Sequence, residues 1–437
     1  MLPSRAAVVV AGGGPAGFMA AVAAAEAGRG DVLLLEATPE PLHKVRISGG
    51  GRCNVTHACW DPAELVGNYP RGARALRGPF SRFACGDAVA WFDAHGLELV
   101  EEADGRLFPR SNRSQSVIET LRRAAAAAGV RLCTGAALQR AEVRSGGGFG
   151  LEVRTGAGVR VRLDCAQLVL ATGSHPSGRQ LAASLGHTLV PPVPSLFTLA
   201  LEAPALTELA GVVMDPVALE LLPGRSQLEH TAGSSERPGS ERAGSERFRQ
   251  RGPVLITHWG LSGPACLRLT AFAARALKEQ GYRGLLQVDW SGGRSQADLD
   301  QLFGRLRCEQ ARRQLATARP WPELSRRLWW HLLEEQGLER QLRWADLPAR
   351  GQQGLITALR ASRYPVRGRG PFGEEFVTAG GVNLGEVNLA TMESRQQTGL
   401  YLVGELLDVD GVTGGFNFQH CWSSGWLAGQ GLAAETS

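Results

Sequence analysis

Unbroken runs of apolar residues that stop at glycine mark both ends of the chain. Ala6–Ala11 (AAVVVA) has no polar position on either face, the pattern of a strand buried on both sides, and Gly12-Gly13-Gly14-Pro15 ends it. The alanine-rich stretch from Pro15 reads as a helix closing near Gly28, since proline suits the first helical turn and glycine the position past the last. A second strand, DVLLLE, ends at Glu36. Further strands are predicted in QLVLATG (Gln167–Gly173) and in GLYLVGELLDVDG (Gly399–Gly411), the latter feeding a glycine turn and a C-terminal helix. One sheet domain is therefore expected from both chain ends, over 1–194 and 363–437.

The middle has another texture. PSLFTLALE, VALELLP, GPVLITH and LLQVDW alternate or run apolar over strand lengths, which predicts a small sheet or barrel within 195–295. Helical periodicity takes over across 296–362, with Trp321, Trp329, Trp330 and Trp344 as packing residues of that bundle. Repeated GSER units between Gly233 and Gly252 cannot bury a core, so 225–252 is expected to form an exposed, mobile loop. In THWGLSGPA (Thr257–Ala265), Ser262 is placed to cap a helix opened by Pro264. His258 is a candidate to give or take a proton.

Chemistry enters at the first turn. Gly12, Gly14 and Gly17 spell G-x-G-x-x-G between a strand and a helix: the first allows the tight turn, the second lets backbone meet a pyrophosphate, and the third lets helix and strand pack closely. Pro15 and Ala16 open the helix whose N-terminus receives the phosphate charge. Glu36, nineteen residues after Gly17, ends the next strand where a carboxylate accepts hydrogen bonds from a ribose. The following loop starts at the same sheet edge, so Lys44, Ser48, Gly49, Gly50, Gly51, Arg52, Cys53 and Asn54 are placed to run along the dinucleotide. Arg52 beside Cys53 favours a thiolate. With no second cysteine at redox-motif spacing, Cys53 reads more readily as a packed residue, and Arg52 and Asn54 as the contacts to ligand.

Taken in order, G-x-G-x-x-G, ISGGGRCNVT, ATG, THWGLSGPA, TAGGV and GLYLVGELLDVDGVTGGFN resemble the YhiN/BaiN-like bacterial flavoproteins, also called aminoacetone oxidase family FAD-binding enzymes, over nearly the whole chain. The resemblance implies FAD on an α/β, two-dinucleotide-binding-domain fold, with a discontinuous Rossmann-like FAD domain and an inserted β-rich plus helical domain. It implies Gly12 to Gly17 at the pyrophosphate, Glu36 at the adenosine ribose, Gly49 to Asn54 along the flavin, and Gly404, Glu405 and Asp408 near the ribityl chain. Ala171, Thr172 and Gly173 of the ATG turn join the same set. A helix starting near Gly415 directs its positive end at the flavin edge that becomes negative on reduction, which adds Gly414, Gly415, Phe416 and Asn417. No histidine or cysteine stands out as a tether, so the FAD is expected to be noncovalent.

The expected function is hydride transfer between flavin and a small organic substrate held between FAD domain and insert, with His258 and Arg52 as catalytic candidates. No second G-x-G-x-x-G follows a strand, so NAD(P)H is expected only as a transient electron donor. The resemblance implies reduction of an activated carbon–carbon double bond or oxidation of an amine. A flavin-carrying sensor or interaction module is the competing class. After ATG, GSHPSGRQLAASLGH is shorter than the family's glycine-rich SYPxxGSTGDG-type segment, so no relative's substrate carries over directly.

Composition limits the partners. With 47 basic and 42 acidic residues the net charge is +5, too weak for a strong nucleic-acid footprint, so neither nucleic acid nor a flavin-dependent RNA modifier is favoured. Eight cysteines without a C-x-x-C pair predict neither a metal site nor a disulfide framework, and fit a reducing cytoplasm. Ala6–Ala25 is as long as a membrane span, but its glycines and proline make it a strand and helix, and no signal peptide or membrane partner is expected.

Overall fold

A computed structural model describes residues 2–222, 248–370 and 377–434. Two compact units emerge: Met1–Pro192 with Val377–Ser437, and Val193–Phe376.

The first unit is built on a nine-stranded sheet. Strand β1 (Arg5–Ala11) lies parallel between β2 (Val32–Leu35) and the strand Arg160–Leu170, with Val10 opposite Leu34 on one side and Val169 on the other. Leu400–Leu402 adds to the far side of Arg160–Leu170, so the last strand of the sheet comes from the C-terminal part of the chain. β2 is buried at every position, as a strand covered on both faces requires.

Helix α1 (Pro15–Glu26) connects β1 to β2 and packs along the C-terminal helix Phe416–Ala434. The contact is made of small residues. A Cβ at Gly425 would lie 2.5 Å from the Ala16 carbonyl oxygen, and one at Gly429 would lie 2.5 Å from the Ala23 Cβ. Backbones approach this closely only where one partner lacks a side chain.

The second unit holds a closed barrel, its strands ordered Leu199–Leu201, Gly260–Ser262, Arg249–Ile256, Val213–Leu222, Gly284–Asp289 and Ser362–Arg369. Helices Gln296–Glu309, Arg326–Glu335 and Ala349–Ala361 lie between the last two of these strands in the chain, and the tryptophans of this stretch pack as expected. Trp329 and Trp344 stack with centroids 6.4 Å apart, and their indole N–H groups donate to the carbonyls of Leu315 and Ala318.

Three expectations change here. Ser362–Arg369 pairs with both Leu199–Leu201 and Gly284–Asp289, so it closes the barrel rather than returning to the first unit at 363. Arg249–Gly252 forms ladder bonds with Val213–Leu222, so the predicted loop 225–252 is a strand at its end, and 225–247 lies outside the described residues. Gly263, at φ 91°, is the N-cap of helix Pro264–Glu279, while Ser262 ends a strand and its hydroxyl accepts from that of Thr198. A Cβ at Gly263 would come 2.9 Å from the Leu255 nitrogen, which explains why the cap is glycine and not serine.

Among the described residues no helix is long and apolar enough to cross a membrane. If the glycine contact holds the chain ends together, Gly425→Val should cost about 1–3 kcal/mol through overpacking. A thermal melt would show it as a lower Tm, and an unchanged Tm would place the two helices further apart than described.

Candidate functional site

The turn after β1 is shaped by what its glycines touch. Gly12 donates to the Leu35 carbonyl at 2.8 Å, and a Cβ on it would meet the Ala171 oxygen at 2.3 Å. A Cβ on Gly17 would sit 1.9 Å from the Gly12 oxygen, so this glycine lets α1 close onto the turn. Gly14 differs: nothing lies within 4 Å of its Cβ position, and as N-cap of α1 it offers no side chain to the first helical N–H groups. Pro15 and Ala16 follow it in the first turn, which carries no acid. The site therefore presents an uncapped helix N-terminus beside open space, which fits a pyrophosphate.

Glu36 braces that turn. One carboxylate oxygen accepts from the Gly13 N–H at 2.8 Å and the other from the backbone and hydroxyl of Thr38, both at 2.7 Å. At the same end Lys44 pairs with Glu405 and reaches the Ser174 hydroxyl at 3.3 Å. A Cβ on Gly173 would lie 3.7 Å from the Glu405 carboxylate, and one on Gly404 would lie 2.8 Å from the Ala16 Cβ. Gly12 to Gly17, Glu36, Lys44, Ala171 to Gly173, Gly404 and Glu405 thus converge.

The helical turn from His43 ends at Ser48, whose ψ is 149°, and Gly49, Gly50 and Gly51 follow at φ 56°, 67° and 84°. This left-handed run is what three glycines permit. Ser48 turns back to the Val45 carbonyl at 2.9 Å. Cys53 is fully buried and burial pushes its thiol up to about 12. Arg52 does not stabilise it: the guanidinium bonds Glu102 at 2.7 Å and lies 4.1 Å over the Phe108 ring. Reading Arg52 as a thiolate partner is thereby corrected, and Cys53 is a packed residue.

Asn54 begins a second cluster. With its amide oriented to satisfy its neighbours, its nitrogen donates to the Thr56 and Leu107 carbonyls and its oxygen accepts from the Gly415 N–H at 2.9 Å. Gly414 and Gly415 have φ 120° and 89°, and the C-terminal helix opens at Phe416. Asn417 ties the preceding loop by accepting from the Gly411 N–H at 2.8 Å and donating to the Gly411 carbonyl at 2.9 Å. Asp408 is half-buried, and its N–H donates to the Val382 carbonyl at 3.0 Å.

Residues not singled out in the sequence complete this end. Asp410, fully buried, pairs with Arg71; the Tyr69 hydroxyl donates to the Phe416 carbonyl at 2.6 Å; Thr56 donates to Gln419 at 2.6 Å; and His57 stacks on Phe416 at 4.8 Å. The two acids of DVDG look equivalent in sequence, and burial alone separates them. His258 lies in the second unit, exposed, in the turn where Thr257 bonds the Gly260 carbonyl and N–H.

Residues 6–431 match the family described as HI0933-like protein Rossmann domain. The chain is 31% identical to a 3-dehydro-bile acid delta(4,6)-reductase of Clostridium scindens, across 97% of this chain and 98% of that protein. It is 29% identical to a ribosomal RNA dihydrouridine synthase of Escherichia coli, across 98% of each. The solved 3-ketosteroid-delta4-(5alpha)-dehydrogenase of Rhodococcus jostii RHA1 shares the fold at TM-score 0.50 and 15% identity, covering 99% of this chain and 98% of that one.

Two predictions come from the buried polar groups. Arg71→Met leaves the Asp410 carboxylate buried without its cation and should cost about 3–5 kcal/mol. Adding Asp410→Asn should recover part of that loss, read as the midpoint of chemical unfolding. His420 is buried, bonds the Gly404 carbonyl at 3.2 Å, and is pushed by burial from 6.5 down to about 4. The unfolded chain protonates this imidazole below 6.5 and the folded one only near 4, so its contribution is present above 6.5 and lost as pH falls toward 4. The total is about 3 kcal/mol at most, and His420→Gln should flatten the stability–pH curve across that window.

Proposed function

The chain belongs to the HI0933-like family, and on that premise we propose that it is an FAD-dependent oxidoreductase reducing a carbon–carbon double bond conjugated to a carbonyl. Two relatives support this bond change by their names. A delta(4,6)-reductase of a 3-dehydro-bile acid removes unsaturation conjugated to a ketone, and a dihydrouridine synthase removes the uracil double bond conjugated to its carbonyl. The substrates differ widely while the bond reduced is of one kind.

The observation that carries the cofactor reading is the uncapped N-terminus of α1 beside the open space at Gly14. Backbone N–H groups of Ala16 and Gly17 would hold the pyrophosphate there, and Glu36, already oriented by Gly13 and Thr38, would take the adenosine ribose. Lys44 with Glu405 and Asp408 would border the ribityl chain. The bare backbone of Gly50 and Gly51, each with nothing within 4 Å of its Cβ position, would run along the ring. The start of the C-terminal helix at Phe416 would offer backbone N–H groups to the ring edge that becomes negative on reduction. Bound noncovalently, FAD supplies two-electron hydride chemistry. NAD(P)H is the proposed donor.

A second reading, an RNA substrate, has one observation in its favour beyond the Escherichia coli relative. Residues 193–376 contain 25 basic and 20 acidic residues, so the whole net charge of +5 resides in the second unit. Salt-sensitive binding of RNA to the purified protein would move the substrate from a small molecule to a nucleic acid.

Purified protein should be yellow, bleach anaerobically with NADPH, and recover its colour on adding a conjugated ketone. A flavin that stays inert to every donor and acceptor would instead favour a sensor or interaction module. Gly14→Val should weaken FAD binding by at least tenfold, about 1.4 kcal/mol, with the Tm of the FAD-free protein unchanged. Retained affinity would move the pyrophosphate elsewhere.

A further inference from the structure

We propose that the first unit carries a second binding site, for a small molecule bearing a carboxylate or phosphate group, independent of the flavin reading above. A cavity of about 460 Å³ opens there, lined by Arg29, Val143, Gln167, Gln396, Gln397 and Thr398. That volume suits a metabolite rather than a bare ion. The cavity lies at the end of the sheet away from the glycine turn. Arg29 follows the C-terminal end of α1, whose 12 residues carry it about 18 Å from the helix start. Gly399, also in the lining, enters the strand Leu400–Leu402 that leads on to Gly404.

Sheet pairing makes this cavity. Asp164 and Leu168 each pair with β1 on one edge of their strand, and on the other edge with Gly150 and Leu400 respectively. The hairpin of Ala136–Val143 and Phe149–Thr155 therefore shares that second edge with Leu400–Leu402, and only Ala166 and Gln167 lie between them. Both of these residues line the cavity. Glycines bring the flanking turns down onto the strand: a Cβ on Gly148 (φ 74°) would meet the Cys165 carbonyl oxygen at 2.4 Å, and one on Gly399 (φ 76°) that of Ala166 at 3.2 Å. The backbone N–H groups of Gln396 and Gln397 both donate to the Ser394 hydroxyl at 2.9 Å, which fixes their turn. Among the described residues their side-chain amides and the Thr398 hydroxyl bond nothing, so they line the cavity as open donors.

Arg29 sets the charge of the ligand. It is half-buried, and its Nε is taken out of water and meets no acceptor among the described residues. A buried donor left unbonded is costly, and in native proteins such a group is ordinarily met by an ion or a water. The acids around it are committed elsewhere. Glu26 bonds His95 at 2.8 Å, Asp31 accepts from the Ala7 N–H at 2.9 Å and pairs with Arg131, and Asp164 pairs with Arg144. Glu393 accepts from the Gly399 N–H at 2.9 Å. A neighbouring cavity shares Val143 and Gln397, and its one acid, Glu142, pairs with Arg140 at 2.6 Å. None of these carboxylates neutralises Arg29. A water would satisfy Nε and leave the charge unpaired, whereas a carboxylate or phosphate takes Nε and Nη together in a forked pair. The glutamine amides and the Thr398 hydroxyl would then donate to its remaining oxygens.

Calorimetric titration tests the site. Full-length protein with FAD in excess is titrated with inorganic phosphate and, separately, with succinate, each against sodium chloride of equal ionic strength. At least one of the two should bind saturably, and the arm that responds tells phosphate from carboxylate. Arg29→Met should weaken that binding by about tenfold or more, the loss of a charge-assisted bond. Arg29→Lys, which keeps the charge without the fork, should recover only part of it. Val143 is 52% exposed, so Val143→Trp fills the cavity from a position where a larger side chain leaves the core untouched, and it should abolish binding. Heats no greater than those of chloride overturn the site, as does binding that Arg29→Met leaves intact. Binding lost in Gly14→Val and kept in Arg29→Met places the anion at the glycine turn and overturns it too. Should the Arg29 variants fail to fold, Val143→Trp decides, and retained binding there overturns the assignment. None of these readouts needs turnover, so an inert flavin leaves the site standing, and a failed titration leaves the flavin reading standing.

Discussion

The contact of α1 with the C-terminal helix is the constraint from which the first unit follows. Gly425 and Gly429 bring that helix onto Ala16 and Ala23 at distances no larger residue allows. Packing of this kind is dispersion without directional bonds, so it depends on shape alone. Because α1 carries the uncapped N-terminus and the C-terminal helix starts at Phe416, one interface sets the separation of two backbone ends that offer N–H groups. The glycine turn after β1 and the Phe416 end are thus fixed relative to each other by apolar packing.

Polar bonds then lock the loops that this packing brings close. Arg71 with Asp410, Tyr69 with the Phe416 carbonyl, and the Asn68 carbonyl with the Val412 N–H all join the segment 68–71 to 410–416. Asn54 and Thr56 attach the glycine loop to Gly415 and Gln419 from another side. Each is a long-range bond between groups taken out of water, where an unmade bond is costly. A loop of glycines at positive φ is flexible by itself, and these bonds are what give it one shape.

The second unit shows a different economy of means. Its barrel is closed, which removes exposed strand edges, and the tryptophan-lined helices bury their indole N–H groups against carbonyls. The unit also carries all the net charge of the chain, whereas the first unit is balanced.

Much of this was legible in the sequence because local patterns report local physics. The double burial of β1 and β2, the proline-opened α1, the glycines of the first turn and the helix start after Gly415 all follow from periodicity and backbone permissiveness within a few residues. The family resemblance read from those motifs is the one that the match over 6–431 returns. What the sequence could not decide was partnership. That Arg52 turns to Glu102 and Phe108 rather than to Cys53, that Asp410 and not Asp408 is buried against Arg71, and that Ser362–Arg369 closes a barrel depend on neighbours many positions away. Spacing along a chain fixes which residues share an element; only the folded packing fixes which charges, rings and strand edges face one another, since those energies depend on distance in space.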